Sequence, residues 1–261
     1  MWIDKIFKFR ARPDEAGGDA TKPFLDHMED LRWMLVRMAI SVVAAMMLCF
    51  CFRHELVHLL MRPLLLVDPH ATLRTLKPTD SITSSLQLSF YAGIVISFPL
   101  LLFFFARFVL PALTLKEKKY VLPCIGVGFG LFLTGVLFCY FVILPRALQW
   151  MWQDTVGLQW STDWTAPLYF SFVTQITLVF GLAFELPVAV LGLVYFGVLS
   201  FAFLNRTRAY ALVIILVLAM IIAPSPDIIT FLSLGGPMYL LYEVCIWLAW
   251  FMEKRQKKLP E

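Results

Sequence analysis

Six long apolar segments dominate the sequence and limit the folds that it can form. A helix needs about 20 apolar residues to cross the hydrocarbon core of a bilayer, which is about 30 Å thick. The chain is 60% hydrophobic and only 15% charged, which is more apolar surface than a soluble domain can bury. We therefore predict an all-α, polytopic membrane protein with six transmembrane helices. The segments span residues 33–52, 86–110, 121–144, 168–199, 210–223 and 237–252.

The two ends of the chain are charged and delimit the membrane domain. Residues 1–22 mix acids with bases and have no apolar core of signal-peptide length, so we expect no cleaved export signal. Residues 253–261 are rich in lysine and arginine. We predict a cytoplasmic tail over residues 1–22, a six-helix membrane domain over 23–252 and a basic cytoplasmic tail over 253–261.

The positions of lysine and arginine predict the orientation in the membrane. Six crossings place both termini on one side, where 15 Lys and Arg residues fall, against five on the opposite side. Cytoplasmic loops carry an excess of these residues, so both termini should be cytoplasmic. The last two segments, 210–223 and 237–252, offer only 14 and 16 residues, or about 21 to 24 Å of helix. We expect local thinning of the bilayer around them.

One carboxyl group lies in the middle of the fourth apolar segment. Placing an ionised group there costs at least about 2.5 to 3.5 kcal/mol, so Glu185 should face a protein interior or a wet cavity, or stay protonated. Pro187 removes the amide that would bond the carbonyl of Ala183. The acid and the freed carbonyl together predict a polar cavity within the membrane. The alternatives are a carboxyl that only supports packing and a plain proline kink.

Acidic residues also interrupt the basic cytoplasmic side. Asp26, Glu29 and Asp30 recur at helical spacing just before the first segment, and Glu117 lies among lysines in a later cytoplasmic loop. A carboxylate accepts two parallel hydrogen bonds from a guanidinium, a geometry that lysine cannot supply. These acids could therefore form a patch that binds arginine. The alternative is that they only complement a helix dipole and balance neighbouring lysines.

Four separated motifs carry a resemblance to a known family. In this order along the chain they resemble the TatC family, the large receptor subunit of the twin-arginine protein translocase, over about Pro23 to Met252. The resemblance implies a cup-shaped bundle of six helices that binds folded cargo by an Arg-Arg signal peptide, with transport driven by the proton gradient and not by ATP. The motifs are PFLDHMEDLRWMLVR, FYAGIVISFPLLLFFFARFVLPALTLKEKKYV, GLAFELPVAV and APSPDIITFLSLGGPMYLLYE.

The resemblance also implies roles for individual residues. Asp30 stands where the family typically has glutamate, so either Asp30 or Glu29 could bind the arginines, with His27 just before them. Glu185 matches the intramembrane glutamate of the family. The implied signal-peptide site comprises Glu29, Asp30, Arg32, Phe108, Leu113 and Glu117, with Pro111 beside it. The implied structural or partner-facing residues are Pro63, which matches an outer-loop proline, Asp227 and Glu243.

The resemblance further implies partners and a location. They are small single-span proteins of the TatA and TatB types, Arg-Arg signal peptides and membrane lipids, within a homo-oligomer or a hetero-oligomeric complex in the inner (plasma) membrane of a prokaryote. Ala223 and Phe231 replace a threonine and a glutamine that are common in the family, so the docking site for the small partners should be altered. We expect no enzymatic activity, cofactor, metal or nucleic-acid partner.

Two competing functions remain open from the residues alone. HELVH, from His54 to His58, fits the His-Glu-x-x-His pattern of zinc proteases, in which two imidazoles bind the metal and the glutamate activates water. The other interpretation of this segment is an amphipathic interfacial helix from Glu55 to Leu66. An ion-coupled transporter of small solutes would use Glu185 as its proton carrier, although the internal repeats typical of such folds are not found.

Overall fold

The chain folds into α-helices joined by short connections. The structure, a computed structural model, describes residues 24–109, 115–160, 163–195, 197–222 and 228–256. The all-α prediction is confirmed, while the predicted tail over 1–22 and most of the tail over 253–261 lie outside the described residues. The elements are α1 (Phe24–Cys51), α2 (Arg53–Val67), β1 (Leu73–Arg74), α3 (Asp80–Val109), α4 (Leu115–Phe138), a π-helical turn (Cys139–Ile143), α5 (Leu144–Gly157), β2 (Trp164–Thr165), α6 (Ala166–Ala183), α7 (Leu186–Tyr195), α8 (Phe201–Arg206), α9 (Arg208–Ile222) and α10 (Ile228–Gln256).

Five helical stretches in the described chain are long and apolar enough to cross a membrane, so the chain is a polytopic membrane protein. Their mean hydropathy ranges from 1.3 to 2.4. The predicted sixth crossing corresponds to α9, whose 15 residues extend for about 22 Å and fall short of a typical hydrocarbon core. A count of six crossings therefore stays a prediction. The five stretches are His27–Cys51, Asp80–Val109, Val121–Gly157, Ala166–Tyr195 and Leu234–Lys254.

Two helices are longer than their apolar segments indicate. We expected a last crossing of 16 residues, but α10 has 29 residues because the helix continues through Pro237 to Ile228. The prediction of a short final helix is therefore wrong. Local thinning of the bilayer is expected only around α9. The third segment also continues, through the π-helical turn into α5, which extends to Gly157.

The largest buried core joins α2, the π-helical turn, α5 and α6. Leu64, Leu144, Leu148 and Val173 are all fully buried in it. Beside this core, β1 and β2 pair in parallel and bring together the two loops that follow α2 and α5. We call this part of the molecule the cap end. The opposite end, where α1 begins, α3 ends, α8 lies and α10 ends, is called the basic end because it contains Arg32, Arg206, Arg208 and Lys254.

Glycines allow the long helices to approach each other closely. A Cβ built on Gly93 of α3 would lie 2.8 Å from the backbone nitrogen of Met46 in α1. A Cβ on Gly135 of α4 would lie 2.6 Å from the carbonyl oxygen of Phe180 in α6. Because these neighbours are backbone atoms, larger residues would force the helices apart, as is common where small residues line helix contacts in membranes.

Candidate functional site

The start of α1 and the end of α3 meet at the basic end. The rings of His27 and Phe108 are stacked, with centroids 4.4 Å apart and planes 17° apart. Met34, seven residues after His27, is buried on the same side of α1. This contact brings the start of α1 to the end of α3.

The two acids at the start of α1 lie on different sides of the helix. Asp30 comes three residues after His27 and therefore lies on the side that faces α3, whereas Glu29 comes two residues after it and lies away from it. Both side chains are exposed, as is Arg32. The geometry thus distinguishes between acids that sequence alone treats as equivalent.

The remaining predicted signal-peptide residues fall where little or nothing is described. Glu117 belongs to the first turn of α4, but its side chain lies outside the described part of the structure. Pro111 and Leu113 lie in the undescribed stretch between α3 and α4. Asp227 lies outside the described residues as well. The proximity of Glu117 to Asp30 therefore stays a prediction.

Glu185 lies at a break between two helices. The α6 helix ends at Ala183 and α7 begins at Leu186, so the Glu185 backbone belongs to the turn between them. This break agrees with the loss of an amide at Pro187, whose ring is buried. Glu185 therefore lies outside the regular helical geometry of α6 and α7.

The carboxyl group of Glu185 lies against Gly128 of α4. A Cβ built on Gly128 of α4 would lie 3.1 Å from Oε2 and 3.4 Å from Oε1 of this carboxyl, and 3.3 Å from a methyl carbon of Leu102 in α3. Oε1 is buried and has no hydrogen-bond donor among the described residues. A buried oxygen without a donor is costly, so this site favours an added polar group or water.

Glu243 has the opposite kind of environment. Its Oε2 lies 3.3 Å from Nη2 of Arg208 at the start of α9, and its Oε1 accepts a hydrogen bond of 2.7 Å from the hydroxyl of Tyr239. This carboxylate therefore ties α9 to α10. The sequence motif indicates Glu243 but not its partner, because Arg208 lies 35 positions earlier in the chain.

Pro63 lies inside α2, in the connection between the first two predicted crossings. It is buried inside α2, and the missing amide would have bonded the carbonyl of Leu59. The hydroxyl of Tyr140 donates to that carbonyl at 2.7 Å, and the hydroxyl of Tyr169 donates to the carbonyl of Leu60 at 2.6 Å. These two tyrosines therefore satisfy carbonyls in the turn before the proline, and the structural or partner-facing role of Pro63 stays a prediction.

The HELVH segment forms the first turns of α2. His54 and His58 are exposed on this helix, and the described residues include no group of three His, Cys, Asp or Glu side chains that could hold a metal ion. The helix spans the whole segment that was predicted as an amphipathic interfacial helix, Glu55 to Leu66.

Elsewhere, Phe231 packs against the buried core, so the residue that replaces the family's glutamine has an apolar contact.

Comparisons with known proteins give one consistent result. The family described as "Sec-independent protein translocase protein (TatC)" matches residues 26–237. The TatC protein of Akkermansia muciniphila is 48% identical over 69% of this chain, a match that spans 52% of that protein. The TatC protein of Aquifex aeolicus is 32% identical over 92% of this chain and 99% of its own length.

A solved structure agrees with these sequence matches. A crystal structure of the twin-arginine translocase receptor TatC superposes with a TM-score of 0.80 and 33% identity, over 86% of this chain and 98% of that one. These matches support neither a zinc protease nor a small-solute transporter. The chain therefore belongs to the TatC family, a family of protein translocase components and not of enzymes.

Proposed function

We propose that this chain is the receptor subunit of a twin-arginine translocase, which binds the Arg-Arg signal peptides of folded proteins at its basic end. The observation that carries the proposal is the His27–Phe108 contact, because it holds the acidic start of α1 against the end of α3. The α3–α4 connection continues directly into the turn that contains Glu117. In this proposal, the acids at the start of α1 and Glu117 at the start of α4 lie around one binding surface.

Asp30 is the first acid that we assign to the arginine pair. It lies on the side of α1 that faces α3, next to the ring of His27 in the helical register, whereas Glu29 lies on the other side. A short aspartate in this place requires the guanidinium to approach α1 closely. Phe108, and Leu113 beyond it, would supply apolar contact for residues that follow the arginines, and Arg32 would orient the acids.

Glu117 is the second acid in this proposal. A guanidinium can bond two carboxylate oxygens at once, and two arginines in succession present two such forks. Asp30 and Glu117 together would match that pair, while a Lys-Lys sequence offers only point charges. The recognition of arginine over lysine follows from this difference in geometry.

The orientation and the membrane follow from the same proposal. Both termini lie in the cytoplasm, six helices cross the inner membrane of a prokaryote, and residues 23–252 form a cup-shaped domain between two cytoplasmic tails. The excess of Lys and Arg at the basic end supports this orientation. Lys254 also lies 4.6 Å from the ring centre of Trp250, a pairing suited to the membrane interface.

Small single-span proteins of the TatA and TatB types are the proposed partners, since the family works within a Tat complex. Glu185 would act after signal recognition, as the polar site within the membrane, and the proton gradient would drive transport. Pro63, Asp227 and Glu243 would hold the scaffold or face partners. The Arg208 pair supports a scaffold role for Glu243.

Peptide crosslinking tests this function. A synthetic Arg-Arg signal peptide with a photoreactive group should crosslink to the protein in inner-membrane vesicles, and a Lys-Lys version of the same peptide should crosslink poorly. Asp30→Asn should weaken capture more than Glu29→Gln, which is the matched control on the same helix turn. Equal capture of both peptides by the unmodified protein would reject the proposal.

A further inference from the structure

A glycine lies directly beneath the carboxyl group of Glu185. Gly128 is buried in α4, and a Cβ at this position would contact both carboxylate oxygens, at 3.1 and 3.4 Å. The next contact is a methyl carbon of Leu102 in α3, at 3.3 Å. The missing side chain therefore leaves the space in which this carboxyl lies against α4.

We infer that Gly128 is a positioning residue for Glu185, because its lack of a side chain leaves the space in which the carboxyl lies against α4. This inference rests on the proposed role of Glu185 as the polar site within the membrane. It adds a residue on a different helix, which holds the acid in place without taking part in any hydrogen bond to it.

The neighbouring glycines of α4 differ from Gly128 in what surrounds them. A Cβ on Gly126 or on Gly130 would meet nothing within 4 Å, while a Cβ on Gly135 would meet backbone and ring atoms at 2.6 to 2.9 Å. Gly128 alone among these four would meet a carboxyl group. Gly126 and Gly130 can therefore serve as control positions where an added methyl group meets no neighbour, and Gly135 as one where it meets backbone.

An alanine at Gly128 should move the carboxyl and leave the fold intact. The contacts of 3.1 to 3.4 Å require a shift of a few tenths of an ångström, and the atoms to be shifted are the ends of flexible side chains. Alanine is also a better helix former than glycine. The expected consequence is a carboxyl displaced from the surface of α4, with an Oε1 that is less enclosed.

Chemical labelling measures this displacement independently of transport. Dicyclohexylcarbodiimide is an apolar reagent that modifies protonated carboxyls within membranes, and mass spectrometry of the peptide that contains Glu185 gives its rate. Gly128→Ala should raise that rate by at least about twofold, and Gly128→Val should raise it further, since small positional errors alter a fitted site. Gly126→Ala and Gly130→Ala should leave the rate unchanged.

A shortened acid separates positioning from simple helix packing. Aspartate is one methylene shorter than glutamate, so Glu185→Asp should make room for the added methyl group. The double variant Gly128→Ala with Glu185→Asp should transport folded cargo better than Gly128→Ala alone, although Glu185→Asp alone should impair transport. A packing defect between α3 and α4 would persist in the double variant.

The outcomes distinguish this inference from the proposed function. Equal labelling rates for Gly128→Ala and Gly126→Ala would overturn the positioning role, as would a double variant no better than Gly128→Ala in a protein that captures Arg-Arg peptides. If labelling shifts as expected but Glu185→Ala transports cargo like the unmodified protein, then the positioning stands and the proposed role of Glu185 fails.

Discussion

Two glutamates of this protein have contrasting surroundings. Glu243 has an arginine and a tyrosine as partners and links α9 to α10. Glu185 lies at a helix break, with a buried oxygen that has no donor in the described part of the chain. The first arrangement stabilises the bundle, whereas the second costs free energy in the isolated chain. This difference supports the proposed scaffold role of Glu243 and the proposed functional role of Glu185.

Removal of the Glu185 carboxyl should produce the largest change in transport. We expect Glu185→Ala to lose most transport of folded cargo, because the intramembrane polar site is gone, while capture of the Arg-Arg peptide is retained. The thermal stability of the purified protein should stay equal or rise, since an unsatisfied polar group is removed. Transport assays and thermal unfolding in the same detergent check both parts. Equal losses of peptide capture and transport would break the contrast.

Neutralisation of Glu243 should act mainly on stability. Glu243→Gln keeps the shape of the side chain but leaves Arg208 facing an amide, and the Arg208 and Glu243 side chains are 42% and 22% exposed. The pair is partly screened by solvent, so we expect a loss of about 1 to 2 kcal/mol of stability. Thermal unfolding of Glu243→Gln and of Glu185→Gln, each compared with the unmodified protein, measures the two losses of stability. If Glu185→Gln destabilised the protein as much, the two carboxyls would not differ as described.

A third prediction concerns the cap end, where satisfied groups also hold the scaffold. Tyr140→Phe removes the donor to the carbonyl of Leu59, which should cost about 1 kcal/mol. In a Pro63→Ala background the restored amide at residue 63 should supply that hydrogen bond instead, so the same tyrosine substitution should cost less. The four proteins form a double-mutant cycle by thermal unfolding. Additive effects of the two substitutions would show that Tyr140 does not replace the missing amide.

The helices and the Glu185 break could be predicted because both depend on local sequence. Long apolar runs require helices in a bilayer, and Pro187 cannot continue the hydrogen bonds of α6. The extent of α10 could not be predicted, because two glycines and a proline at 235–237 are typical of a helix boundary. The helix nevertheless begins at Ile228 and continues through them. Proline in a membrane helix is tolerated when neighbours satisfy the freed groups.

The contacts that define each site could not be predicted, because they join residues far apart in the chain. Tyr140 and Leu59 are separated by 81 positions, and nothing near Pro63 indicates that a tyrosine will bond the freed carbonyl. Gly128 carries no signal of its own, since Gly126 and Gly130 in the same helix differ from it only in what packs against them. Motif resemblance identified the acids, and three-dimensional packing separates Asp30 from Glu29.

The most direct test of the central claim is photocrosslinking of an Arg-Arg signal peptide to a double variant, Asp30→Asn with Glu117→Gln, in inner-membrane vesicles. We expect capture by the unmodified protein to be strong for the Arg-Arg peptide and weak for the Lys-Lys peptide, and capture of both peptides to be lost in the double variant. A control variant, Glu29→Gln, should still prefer Arg-Arg. Undiminished capture of the Arg-Arg peptide by the double variant would contradict the claim that these acids bind the arginine pair.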